Sequence, residues 1–230
     1  FLGRDVLQQG RGHRRIVPVA PCPWRVCCQP MTPRETQPTP SKEAIDALPP
    51  FPLLGLDRIT LVHTGPQAVE AAAQLQDHAV WGFDTESRPT FLKEQVSDGP
   101  HVVQLATESR AWVFLLHEAG CRTRVAELLA QPAHRKAGFG LRDDTLRIRA
   151  KLGVEPEAVL ELNTVFRERG YRKDMGVKAA VAVLFGQRFA KSKKAATSNW
   201  SARTLSESQI LYAANDAWAA RRVAQALGLG

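Results

Sequence analysis

The residues of this 230-residue chain whose types and spacing could do chemistry are acidic, and they fall in three clusters. The first, Phe83-Asp84-Thr85-Glu86, closes the apolar run Ala79-Val80-Trp81-Gly82-Phe83. That run reads as a strand. Period-two geometry places Asp84 and Glu86 on one face, where two like charges repel unless a cation lies between them. Taken alone, the pair is equally well read as a solvated strand end. The second cluster, Asp143-Asp144, follows Gly138-Phe139-Gly140-Leu141. Asp143 is the expected N-cap of a helix over about 143–151, and Asp144 on its first turn would point back toward the strand ends. The third, Tyr212-Ala213-Ala214-Asn215-Asp216, lies inside an Ala-rich final helix. Tyr212 and Asp216 stand at i and i+4 and share a face. An aspartate there costs propensity and desolvation unless it is partnered, by the tyrosine hydroxyl or by something else.

Three such clusters in one chain point to a shared purpose. Carboxylate donors with no histidine or thiolate beside them select Mg²⁺ or Mn²⁺ over zinc. Such a set suits two ions about 4 Å apart, one activating water and one stabilising a leaving 3′ oxygen, with Tyr212 orienting the attacking water.

The elements that must position these groups are legible in outline. Ile59, Leu61 and His63 alternate in a short strand, and Gly65-Pro66 turns into an Ala-rich helix over 67–76. After the strand over 79–84, segments 101–107 and 111–116 read as a hairpin. A helix over 122–130, a strand over 135–139 and the helix over 143–151 follow. The last helix has the clearest start: Ser206 and Gln209 fit a capping box, and Ile210, Ala213, Ala217, Ala220 and Ala224 form an apolar stripe. Gly228 ends it. Strands and helices in this order predict an α/β domain, a mixed sheet flanked by helices.

Residues 1–50 are set apart as a tail and 51–230 as the domain. The first thirty residues carry Arg4, Arg11, Arg14, Arg15 and Arg25 against Asp5 and show no periodicity; Met31 is a candidate natural start. Cys22, Cys27 and Cys28 lie in that tail without zinc-site spacing, and Cys121 stands alone. No disulfide is called for, and the expected compartment is reducing and cytoplasmic. No apolar run reaches the length of a membrane span.

The three clusters, as Phe83-Asp84-Thr85-Glu86, Gly138-x-Gly140-x-x-x-Asp144 and Tyr212-x-x-x-Asp216, resemble the exonuclease motifs of the DEDDy family, which includes ribonuclease D and the Werner-type exonuclease domain. The likeness spans roughly 56–227, and Ser198-Asn199-Trp200 before Leu205-Ser206-Glu207 resembles that family's approach to its third motif. The resemblance implies a ribonuclease H-like fold and 3′→5′ exonuclease activity. It also implies Asp84, Glu86, Asp144 and Asp216 as metal ligands, with Tyr212 as the tyrosine of the subgroup. Asp143 matches no catalytic position.

The basic residues add a substrate. The chain carries a formal net charge of +8, and the segment 167–203 holds ten Lys and Arg against Glu168 and Asp174. Lys191, Lys193 and Lys194 in a polar loop, with Arg203 and Thr85, are candidate contacts to nucleic acid, and Trp200 or Phe91 could stack on a base. Each has a plainer reading, as a solvated basic face or as core. Gly138-Phe139-Gly140 lacks the third glycine of a dinucleotide-binding turn. The expected partner is single-stranded or 3′-ended DNA or RNA, with no protein partner called for; the alternative is a nucleic-acid-binding module that keeps the fold without cutting.

Overall fold

In the computed structural model, residues 36–89 and 98–230 are described. The N-terminal tail up to 35, with Met31 and three of the cysteines, and Phe91 lie outside them. Six strands form one mixed sheet: β1 (Ile59–Val62), β2 (Val80–Glu86), β3 (Val102–Ala106), β4 (Ala111–Leu115), β5 (Arg135–Gly138) and β6 (Val159–Glu161). Their spatial order is β1-β4-β3-β2-β5-β6. The β4–β3 and β3–β2 pairs are antiparallel, and β1–β4, β2–β5 and β5–β6 are parallel. The predicted strands and hairpin are all present. β2 runs two residues beyond the expected end, so Asp84 and Glu86 both lie inside the ladder, opposite Gln104 and Val102.

Period-two alternation divides the sheet between two cores. Trp81, Phe83, Val103, Leu105, Trp112 and Phe114 face α2 (Gly65–Leu75), α3 (Ala119–Leu129) and α4 (Leu141–Leu152). Val80, Val102, Ala106, Val113 and Ala137 face the other way, onto α6 (Gly176–Phe185) and α8 (Glu207–Ala226). Between α4 and α6 lies α5 (Leu162–Glu168), and the short α7 (Lys193–Ala196) precedes α8. The sequence pattern predicts no elements over 154–200. β6 is three half-buried residues and α7 four, too short to show a period.

The capping box of α8 forms as expected: the Ser206 side chain accepts from Gln209 N, and the Gln209 side chain accepts from the Ser206 backbone. Beyond the helix, Gly228 takes φ +76° and Leu229 N donates to Ala224 O. The alanine stripe is wider than a stripe. Ala213, Ala214, Ala217, Ala219, Ala220 and Ala224 are all buried, so α8 is enclosed on several sides. Small side chains bring its backbone onto β2 at Gly82, where an added Cβ would lie 1.9 Å from Ala217 O.

Residues 36–50, placed in the tail by the sequence reading, pack on the domain. They carry α1 (Lys42–Asp46), capped by Ser41. Phe51 N donates to Arg188 O and Arg188 N to Pro49 O. Buried Asn215 then clamps the segment to α8: its Oδ1 accepts from Leu54 N at 2.7 Å, and its Nδ2 donates to Leu54 O at 3.2 Å. Proline and polar residues hide this docking from periodicity.

Candidate active site

Three elements converge at the end of β2. Asp84 and Glu86 alternate onto the face covered by α8, where Asp216 sits one helical turn after Tyr212. Ligand oxygens of Asp84, Glu86 and Asp216 all lie within 4.8 Å of one another. Asp144, on the first turn of α4, lies beside this trio. The Thr85 hydroxyl donates to its Oδ1, and Asp84 accepts from Thr85 N at 2.9 Å. The strand therefore holds one carboxylate through its own backbone and another through Thr85.

The electrostatics match that crowding. Burial, then Asp216 and Asp144, push the Asp84 carboxyl well above the usual carboxylate range. Burial, Asp84 and Asp216 raise Glu86 to about 9. Burial also raises Asp144, against the Thr85 hydrogen bond, and Asp216, against Lys191. Burial and then Asp216, Glu86 and Asp84 push the Tyr212 phenol far above its ordinary value, so it is a neutral hydroxyl that can both donate and accept a hydrogen bond. Among the described residues, four carboxylates gather around the single Lys191 ammonium, whose Nζ lies 2.6 Å from Asp216 Oδ2, and the Tyr212 hydroxyl also donates to Asp216. One ammonium leaves negative charge in excess, and a hard cation with oxygen preference suits that charge and donor set.

Several expected contacts are placed differently. Asp143 is not the cap of α4. The helix begins at Leu141 with Gly140 as N-cap at φ +72°, and Asp143 is exposed. The capping oxygens come from Glu161, which accepts from Gly140 N at 3.1 Å and Leu141 N at 2.7 Å. No local signal marks Glu161, because the partners are some twenty residues apart. Trp200 cannot stack on a base: it is 0% exposed, and its ring lies 5.9 Å from that of Tyr212, backing the tyrosine. Thr85 is buried, with its hydroxyl spent on Asp144. Lys191 turns inward to Asp216, with Nζ 2.6 Å from Oδ2. Lys193, Lys194 and Arg203 are exposed and remain open to a ligand. Cys121 is buried, its thiol pushed up to about 11 by burial.

A mixed six-stranded sheet flanked by helices, with acidic residues gathered from a central strand and two of those helices, gives the domain a ribonuclease H-like fold. A family model described as 3′-5′ exonuclease matches residues 59–229, and the chain belongs to this 3′-5′ exonuclease family. It is 29% identical over 161 residues to the bifunctional 3′-5′ exonuclease/ATP-dependent helicase WRN of Mus musculus, covering 69% of this chain and 12% of that protein. It is 31% identical over 188 residues to the exonuclease mut-7 homolog of Homo sapiens, covering 67% of this chain and 20% of the relative. The chain thus spans a minor part of both. Among solved structures, the fold matches Trypanosoma brucei RNase D in complex with RNA U12, with TM-score 0.65, 23% identity, and coverage of 80% of this chain and 64% of that one. It also matches the Aedes aegypti Nibbler EXO domain, with TM-score 0.64, 19% identity, and coverage of 76% and 88%.

Proposed function

We propose that this domain removes nucleotides one at a time from the 3′ end of single-stranded DNA or RNA, releasing nucleoside 5′-monophosphates. The observation that carries this reading is the convergence of Asp84, Glu86 and Asp216 within 4.8 Å, in a chain of the 3′-5′ exonuclease family. Asp84, Glu86, Asp216 and Asp144 would hold two Mg²⁺ or Mn²⁺ ions. These would supply Lewis acidity to the scissile phosphate and a nucleophilic water at neutral pH.

The protein's own groups do the rest. β2 and α8 fix the carboxylates on rigid elements, so little reorganisation remains when substrate arrives. The neutral Tyr212 hydroxyl, one turn from Asp216, orients the water for attack in line with the leaving 3′ oxygen. Exposed Lys193, Lys194 and Arg203 attract the phosphate backbone without reading sequence. One structural neighbour is in complex with RNA U12, and contacts to phosphates are available on either polymer, so RNA and DNA are both candidate substrates.

Incubation with 5′-labelled single-stranded DNA and RNA, in Mn²⁺, Mg²⁺ or EDTA, tests the reading. A metal-dependent ladder shortening from the 3′ end supports it, and the faster polymer names the substrate. Binding without cleavage in any metal would refute it in favour of a non-catalytic binding module.

A further inference from the structure

Lys191 stands apart from the other basic residues of the 167–203 segment. Most of them are exposed, whereas its side chain is 25% exposed and points into the carboxylate cluster. Its backbone is fixed on both sides: Phe189 and Ala195 are buried, and Ser192 caps α7 through Ala195 N. From that anchor the ammonium reaches within 2.6 Å of Asp216 Oδ2 and lies 5.3 Å over the Tyr212 ring. It lines a hollow of about 210 Å³ together with Phe83, Asp84, Phe139 and Asp216.

Resting on the metal-site reading above, we propose that Lys191 is a positioning residue. Its ammonium is an internal counter-cation that holds Asp216 in place and competes with a divalent ion for that carboxylate. Lysine suits the role as a compact charge on a flexible four-carbon stem that can withdraw without moving its backbone. Two cations sharing one carboxylate repel strongly at such distances in a partly buried site. An ion binding at Asp216 must therefore displace the ammonium or bind more weakly beside it. The neighbouring lysines do not share this function, because Lys193 and Lys194 on α7 are exposed.

The test is Mn²⁺ binding by titration calorimetry, with the full chain compared with Lys191→Met and Lys191→Arg. Lys191→Met is expected to bind Mn²⁺ about tenfold more tightly or better. It should also melt lower than the parent in EDTA and recover on adding Mn²⁺. Lys191→Arg keeps the charge and should bind like the parent. Equal or weaker Mn²⁺ binding by Lys191→Met would overturn the inference while leaving the exonuclease reading intact. Absence of Mn²⁺ binding in the parent would overturn the metal site itself and the competition with it. If Lys191→Met does not fold, the unmutated protein still decides. Acetylation of the Lys191 amine, followed by mass spectrometry, should rise when Mn²⁺ replaces EDTA, and an unchanged or reduced yield would overturn the competition.

Discussion

Replacing Gly82 by alanine tests whether the spacing between β2 and α8 sets the site. A Cβ at Gly82 would lie 1.9 Å from Ala217 O and 2.8 Å from Arg221 Cβ, where ordinary contact begins at 3.4 Å. The obstacle is helix backbone, so no side-chain rotation relieves it, and α8 must retreat by about 1.5 Å. Overpacking of this kind costs roughly 1–3 kcal/mol. With a urea m-value of about 2 kcal/mol/M, a 2 kcal/mol loss lowers the unfolding midpoint by about 1 M. The same displacement reaches the chemistry, because Asp216 adjoins Ala217 on α8 and Asp84 lies two residues after Gly82 on β2. A misplacement of about 1 Å costs on the order of 10²-fold in rate, so turnover should fall by about that factor even where the variant remains fully folded. Urea unfolding followed by tryptophan fluorescence gives the first number, and initial rates on a labelled oligonucleotide at saturating Mn²⁺ give the second. Parent-like values for both would refute the claim that glycine at this position sets the helix–strand distance and, through it, the carboxylate geometry.

Other substitutions separate charge from packing. Asp84→Asn keeps an acceptor for Thr85 N but removes one of the crowded like charges; it should abolish cleavage yet raise the melting temperature in EDTA by a few degrees. A melting temperature that falls would mean the carboxylate is structural. Glu161→Ala strips the amides of Gly140 and Leu141 of their acceptor and should cost about 1–2 kcal/mol, with Glu161→Gln closer to the parent in chemical denaturation. Lys136, in the middle of β5, is fully buried, donates to Gln131 O and lies 5.5 Å from the Trp81 ring; burial lowers it to about 8. The unfolded chain holds that proton up to about 10.5, so this group's contribution to stability rises with pH between about 8 and 10.5 and is constant below. Lys136→Met should therefore gain roughly 2 kcal/mol at pH 7, with the gain shrinking toward pH 10; thermal melts at the two pH values check this.

The sequence by itself determined the elements whose residues carry a strong local pattern. β2 announced itself by an unbroken apolar run, the β3–β4 hairpin by two runs across a short polar turn, and α8 by its capping box and alanine spacing. The residues alone marked three acidic clusters, and the resemblance of their spacing to the DEDDy exonuclease motifs picked out Asp84, Glu86, Asp144, Tyr212 and Asp216 among them. Three of them meet within 4.8 Å.

Tertiary structure decided what depends on neighbours distant in the chain. Asp143 reads as a cap because an aspartate stands where a helical run begins. Glu161, from beyond the end of α4, already accepts from the Gly140 and Leu141 amides and leaves Asp143 in solvent. Trp200 could have stacked on a base, but it fills the core behind Tyr212 instead. Lys191 reads in the sequence as one of a run of loop lysines facing phosphates. Only the packing of Phe189 and the capping of α7 at Ser192 turn it away from its neighbours and onto Asp216. Docking of residues 36–54 likewise rests on Asn215, whose partners lie 161 residues away. Local periodicity reports which face of an element is buried; it carries no information on which distant group will supply the charge or hydrogen bond that a buried polar atom requires.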